Sequence, residues 1–398
     1  MIDRICRQIN NIKNFEDVYA EVEFFKIIYE SFTLEEWLTT DNVFVIGNYI
    51  AQHRPDLVTL GIRLNVQINL FLRTINNYST NADYIFKKVK HSLGCFALTE
   101  NEAGVLSGLI VKCQFKKKGE TYIINSKEIF KNWISQGIIS DYMLVFASNV
   151  DDSKDVRIFL CAMSNKNIIK ESLDLQPFTK TLDLAKLRFN NLIVPETNVL
   201  DLTISKSKME ILNGILYGRY MIAEAVVHSI LGLVLYLKDI TLNVEKFKHL
   251  GYDKYILNLE KILNKYINHL SSIRNKLLTS KNIFLINCYK IFVVETSIKI
   301  FNELNMKFGV IALKYGLKYE TLLLNKVAEG DTNVLRLSLI HTHFKKGYWN
   351  MIFKEGLTFY EIVYLSILNE KEKKMYIMDN FKNISDKIIQ NNICIDLY

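Results

Sequence analysis

The chain reads as an α+β protein built in the order helices, strands, helices. Three observations carry this. Apolar residues recur at helical spacing before residue 94. The period changes to two from Gly94. After Pro195 the sequence has no further proline for over two hundred residues and returns to long helical stripes. With 398 residues and 49% hydrophobic content, the chain can bury a large core in two or three domains.

Residues 1–93 read as an all-helical segment. Phe24, Phe25, Ile28 and Tyr29 recur at i, i+3, i+4 spacing, Thr33 precedes a first turn containing Glu35 and Glu36, and Leu64–Ile75 reads as an apolar helix. Residues 94–200 read as a central antiparallel β domain. Val111–Lys116 alternates apolar and polar residues, Lys118-Gly119 turns the chain, and Thr121–Asn125 resumes as the partner strand. Further short strands are expected at Asp141–Ser148, Asp155–Met163 and Leu187–Pro195, giving a sandwich or barrel-like unit. Residues 201–398 read as a helical bundle. Ile256, Leu259, Leu263, Tyr266 and Leu270 mark one helix face, and Ile291, Val294, Ile298 and Phe301 another. No βαβ alternation is present, which argues against a Rossmann fold.

Composition narrows the function. Six cysteines (Cys6, Cys95, Cys113, Cys161, Cys288, Cys394) contain no C-x-x-C pair, which fits reduced thiols and offers no zinc site. His341 and His343, two apart on a helix, point to different faces, so no metal site is expected. The net charge of +8 is spread along the chain. Lys116–Lys118 sit at a hairpin turn, and Lys371, Lys373 and Lys374 alternate with Glu370 and Glu372, so neither forms a nucleic-acid patch. The longest apolar run, Val226–Leu237, is interrupted by His228 and falls short of the roughly 20 residues a bilayer span needs. It reads as a buried helix. There is no apolar leader after Asp3, Arg4 and Arg7 and no peroxisomal ending at Ile-Asp-Leu-Tyr, so a cytoplasmic protein is expected.

Two stretches stand out. Gly94–Gly108 reads GCFALTENEAGVLSG, a strand running into a small-residue turn, and Val327–Leu337 reads VAEGDTNVLRL, a helix start with a carboxylate just before a glycine. Between them, in order, come Tyr122–Asn125, Trp133-Ile134-Ser135, Asp141-Tyr142 and Leu187–Pro195. This series resembles the acyl-CoA dehydrogenases and acyl-CoA oxidases from roughly Thr59 to His343. The Gly-Cys-Phe-Ala-Leu-Thr-Glu wording leans toward the oxidases, although the extra C-terminal domain of the peroxisomal oxidases has no counterpart.

The resemblance implies an FAD-dependent α,β-dehydrogenation of an acyl thioester. It places flavin contacts at Phe96, Leu98, Thr99, Trp133, Ser135, Asp331 and Asn333, and substrate contacts at Arg219 and Gly330. Thr99 would hydrogen-bond the pyrimidine edge of the ring, Trp133 would pack against it, and Ser135 would stand where the family usually has threonine. Glu329 would remove the α-proton. A base for this step needs a dry pocket that raises its pKa, and a following glycine lets a backbone N–H approach the thioester oxygen. The bland reading of Glu329 is a carboxylate favoured by a helix N-terminus. The position next to Arg219 that supplies the base in some relatives is Gly218 here.

Several family residues are missing. Gly104-Val105-Leu106 replaces Gly-Ser-Asp, losing the serine that contacts coenzyme A. The Arg-x-x-Phe-Gly and Gln…Gly-Gly-x-Gly segments that hold the adenine and diphosphate of FAD across a subunit interface have no clear counterpart; Asn302 and Asn305–Gly309 occupy the register of the second. The implied partners are an acyl-CoA or an acyl carrier protein thioester, either of which suits a mildly basic surface. The implied assembly is a homodimer or homotetramer. A non-catalytic subunit that assembles with a flavin-bearing partner is the rival reading.

Overall fold

The computed structural model describes residues 1–12, 15, 17–101, 111–126, 129–173, 183–200 and 208–329, and beyond these residues 332, 335, 336 and 339. Ala103 to Leu106, Gly330, Asp331, Asn333, His341, His343 and the lysines from 371 onward lie outside the described residues. The chain divides into two compact units, Met1–Met221 and Ile222–Tyr398.

The first unit opens with four helices: α1 (Ile2–Asn11), α2 (Val18–Glu30), α3 (Leu34–Thr39) and α4 (Asn42–His53). Asp17 caps α2 by accepting from the Ala20 N–H, and Thr33 with Glu36 forms a reciprocal capping box on α3. The apolar stretch expected as a plain helix at Leu64–Ile75 is more particular. Here α5 (Val58–Leu64) widens into a π-helical segment, Asn65–Leu72, before returning to α6 (Arg73–Tyr78). All eight π-helical residues are buried, including Asn65, Gln67 and Asn69. Their polar side chains make specific contacts. Asn69 donates to Asn65 across one turn (2.9 Å), while Gln67 donates to the Ser92 carbonyl (3.0 Å) and accepts from the Gly94 N–H (2.8 Å). The helix is thereby tied to the start of the sheet region. A short helix, α7 (Ala82–Val89), leads into it.

Ten strands follow among the described residues: β1 (Gly94–Ala97), β2 (Gln114–Lys118), β3 (Thr121–Asn125), β4 (Lys131–Ser135), β5 (Tyr142–Asn149), β6 (Val156–Ala162), β7 (Ile168–Ser172), β8 (Leu184–Phe189), β9 (Leu192–Pro195) and β10 (Val199–Leu200). One sheet has the order β10-β6-β5-β2-β3-β9 with β1 also on β5, and a smaller one the order β4-β8-β7. The β2–β3 hairpin turns at Gly119, whose φ of +60° suits glycine. Most pairings are antiparallel, but two are parallel, and both use β5. Gly94–Ala97 pairs with Tyr142–Val145, and Gln114 and Phe115 pair with Ser148 and Asn149. The chain therefore runs along one side of β5 in two steps. Thr99 lies just beyond the end of β1. Cys95, Ala97, Phe115, Ile134, Phe159 and Leu187 belong to one buried cluster that draws on both sheets.

Helix α8 (Lys208–Asn243) contributes to both units. Its stretch Ile215–Asn243 is long and apolar enough to cross a membrane, longer than the run counted from sequence because apolar residues also precede Glu224. Yet 78% of its most apolar window is buried within the fold, as in a core helix. In the second unit follow α9 (Glu245–His249), α10 (Tyr252–Thr279), α11 (Ile283–Phe308), α12 (Val310–Leu313) and α13 (Tyr319–Val327). The expected stripe on α10 is buried throughout, as are Ile291, Val294 and Phe301 of α11. Arg274 of α10 grips Glu224 of α8 with two hydrogen bonds, 2.8 and 2.7 Å, away from solvent.

Candidate active site

Two of the motifs meet in the first unit. The Thr99 carbonyl accepts from the Asn132 N–H at 2.9 Å, and Asn101 exchanges two hydrogen bonds with the backbone of Phe130. This places the Thr99 turn alongside β4, next to Trp133 and Ser135. Along β1 the faces alternate. Cys95 and Ala97 enter the core between the sheets, while Phe96 and Leu98 are half-buried and pack near Val66, Leu70 and Ile215. Phe96 also meets Phe146 edge to face, 4.8 Å between centroids.

A bulge in β4 sets the presentation of Trp133. Lys131 pairs with Leu187 and Ile134 with Ala185, so β4 carries one more residue than β8 between these points. Lys131 and Ile134 both stay buried, and the extra residue turns Trp133 outward, 51% exposed, at a left-handed φ of 59°. Gln136 is left-handed too, at 65°. Such conformations cost roughly 1–3 kcal/mol each and persist where surroundings enforce them. Two buried anchors do so. Lys131 donates to Glu100 (2.6 Å) and to the carbonyls of Phe146 (2.7 Å) and Leu98 (3.4 Å), while Glu100 accepts from the N–H groups of Lys112 and Cys113. At the other end, Gln136 accepts from Arg63 (3.2 Å) and donates to the Gly94 carbonyl (3.0 Å), and Arg63 is neutralised by Glu21 at 2.7 Å.

What these anchors present is a flat aromatic surface with polar groups at hand. The hydroxyls of Thr99 and Ser135 make no hydrogen bond among the described residues. The Asn132 Oδ1 is buried without a partner. Open hydroxyls and a half-exposed indole on a strained strand suit a planar heteroaromatic ring whose edge carries donors and acceptors.

Arg219 is buried on α8 in the first unit, and Glu329 belongs to the second. Glu329 lies between two helical stretches. It follows the C-terminus of α13 in a turn, half-buried, at a left-handed φ of 55°, and helical residues resume at Thr332. Lys290, fully buried on α11, donates to the Ala328 carbonyl just before it. A carboxylate residue held in the left-handed conformation usually reserved for glycine or asparagine at such a position is strained. Sequence reading missed Lys131, Gln136, Arg63 and Lys290. The available signal for Lys131 was its place two residues before Trp133 in a strand, opposite in charge to the Glu100 of the other motif.

This arrangement of helices, sheets and helices is the acyl-CoA dehydrogenase fold. No family model matches the chain. The short/branched chain specific acyl-CoA dehydrogenase, mitochondrial, of Rattus norvegicus is 32% identical over 139 residues, which is 34% of this chain and 31% of the relative's length. Among solved structures, acyl-CoA oxidase 1 of Yarrowia lipolytica superposes with a TM-score of 0.75 at 14% identity, covering 98% of this chain and 74% of its own. The FAD complex of PigA gives 0.70 at 12% identity, covering 87% and 97%. The prolyl acyl carrier protein oxidase AnaB gives 0.63 at 14% identity, covering 86% and 97%.

Proposed function

We propose that the protein is an FAD-dependent enzyme that removes two hydrogens from the Cα–Cβ bond of an acyl thioester. The observation that supports this reading is the 2.9 Å bond from the Asn132 N–H to the Thr99 carbonyl, which brings the Thr99 turn alongside the strand that carries Ser135 and the outward Trp133 indole. Thr99 and Ser135 would hold the polar edge of the flavin ring, and Trp133, with Phe96 and Leu98 nearby, its apolar surface. Asp331 and Asn333 complete the set that the family resemblance assigns to the flavin. When bound, FAD would accept the hydride that leaves Cβ.

Glu329 would take the α-proton, leaving an enoyl thioester and a protonated carboxyl. Lys290 steadies the turn by holding the Ala328 carbonyl, which fixes the direction in which the Glu329 side chain leaves the backbone. Gly330 and Arg219 are the proposed substrate contacts. Both acyl-CoA and carrier-protein thioesters fit the reading, and the fold shared with a prolyl acyl carrier protein oxidase supports the second. A homodimer or homotetramer is the proposed assembly, to be read by light scattering.

A visible absorption spectrum of the purified protein tests the proposal, since bound flavin is yellow. A colourless protein that also fails to take up added FAD favours the rival, a non-catalytic subunit, which the missing adenine and diphosphate motifs support.

A further inference from the structure

The family segments that hold the dinucleotide tail of FAD have no clear counterpart in the sequence, yet the face that presents Trp133 carries charge of the right sign. Lys131 and Ile134 of β4 pair with Leu187 and Ala185 of β8, all four side chains buried. Side chains alternate along a strand, so Lys186 and Arg188 stand on the outer face, with Lys186 opposite the bulge that turns Trp133 outward. Both cations lie over the Phe130 ring, Lys186 at 4.5 Å and Arg188 at 5.2 Å from its centroid. Glu171 of β7 pairs with Lys186 at 2.9 Å, and this bond together with the nearby Arg188 holds its carboxyl below the usual range. Two cations therefore share one carboxylate on a face continuous with the indole. Arg188 is exposed, two residues and roughly 7 Å beyond Lys186 along the strand.

Building on the flavin reading above, we propose that Lys186 and Arg188 form the subsite for the diphosphate of the dinucleotide, supplied by the same chain that presents Trp133. A guanidinium offers a planar fork to two phosphate oxygens, and the ammonium of Lys186 adds a point charge. Phe130, steadied by both cations, keeps them on this face. Glu171 is the internal competitor for Lys186 and gives way as phosphate approaches.

The test compares FAD with riboflavin, which has the same ring and no phosphate, by fluorescence titration of the full chain freed of flavin. Wild type is expected to bind FAD at least tenfold more tightly than riboflavin, with the difference shrinking as salt rises. The Lys186→Ala/Arg188→Ala variant should lose that advantage and keep its riboflavin affinity, which also reports an intact ring site. Glu171→Gln should strengthen FAD binding severalfold without touching riboflavin. Unchanged FAD affinity in the double variant, or equal losses for both ligands, would overturn the proposal. A wild-type protein that binds neither ligand removes the ring site itself, and the subsite with it.

Discussion

The ammonium of Lys131 lies 2.6 Å from the carboxylate of Glu100, and both side chains are sealed from solvent. Glu100 belongs to the Thr99 motif and Lys131 stands two residues before Trp133, so this ion pair ties the two motifs together. Lys131 spends its remaining donors on two carbonyls and Glu100 accepts from two backbone N–H groups, so the pair is well satisfied. Lys131→Met should therefore strand a buried carboxylate and destabilise the protein by about 3–5 kcal/mol. Adding Glu100→Gln should recover part of that loss. Urea unfolding of the single and double variants measures both.

Glu329→Gln tests the proposed base. The variant should retain flavin and lose α-proton exchange on a bound thioester by about 10²–10⁴-fold. Exchange followed by NMR in deuterated buffer gives the rate, and near-normal exchange would reduce Glu329 to a turn residue.

Two glycines in the first unit should respond differently to a methyl group. At Gly94 an added Cβ would sit 2.3 Å from the ring of Phe71, which is itself fully buried in the π-helical segment. Gly94→Ala should cost about 1–3 kcal/mol. At Gly47 the clash is with the Cε end of Met221, a flexible tip that can swing aside, and alanine improves helix propensity. Gly47→Ala should change stability by less than about 1 kcal/mol by the propensity difference. Thermal melts of the two variants make the comparison.

The buried thiols predict an alkaline limit. Burial pushes Cys95 and Cys113 up from an ordinary 9.0 to about 12, and raises Cys161 as well. These thiols stay protonated in the fold while the unfolded chain ionises above about pH 9, so the unfolded state binds fewer protons there. Stability should fall as pH rises from about 9 toward 12. Cys95→Ala/Cys113→Ala should flatten that decline in denaturant titrations at pH 8, 9 and 10. A slope equal to that of wild type would contradict the assignment.

Local patterns in the chain suffice for the order of elements and for locating the motif stretches. Apolar stripes on α10 and α11, the Thr33 cap and the Gly119 turn are local patterns, set by side chains within a few residues of one another. The stretches that carry Thr99, Trp133 and Ser135 are each continuous in sequence and are read from it for the same reason. Relations between distant segments come from packing instead. The parallel run of β1 and β2 along β5, the pairing of Lys131 with Glu100, and the placing of Lys186 opposite the β4 bulge all depend on register between separate strands. A one-residue slip there would move every side chain to the other face, and no local periodicity records which register wins. The tie between the π-helical segment Asn65–Leu72 and the sheet is of the same kind, because Gln67 finds its partners at Ser92 and Gly94, more than twenty residues downstream. Likewise the left-handed turn at Glu329 rests on a lysine from another helix. Burial presses most polar groups to find a partner, and for these residues the partners come from the packed fold rather than from neighbours in the chain.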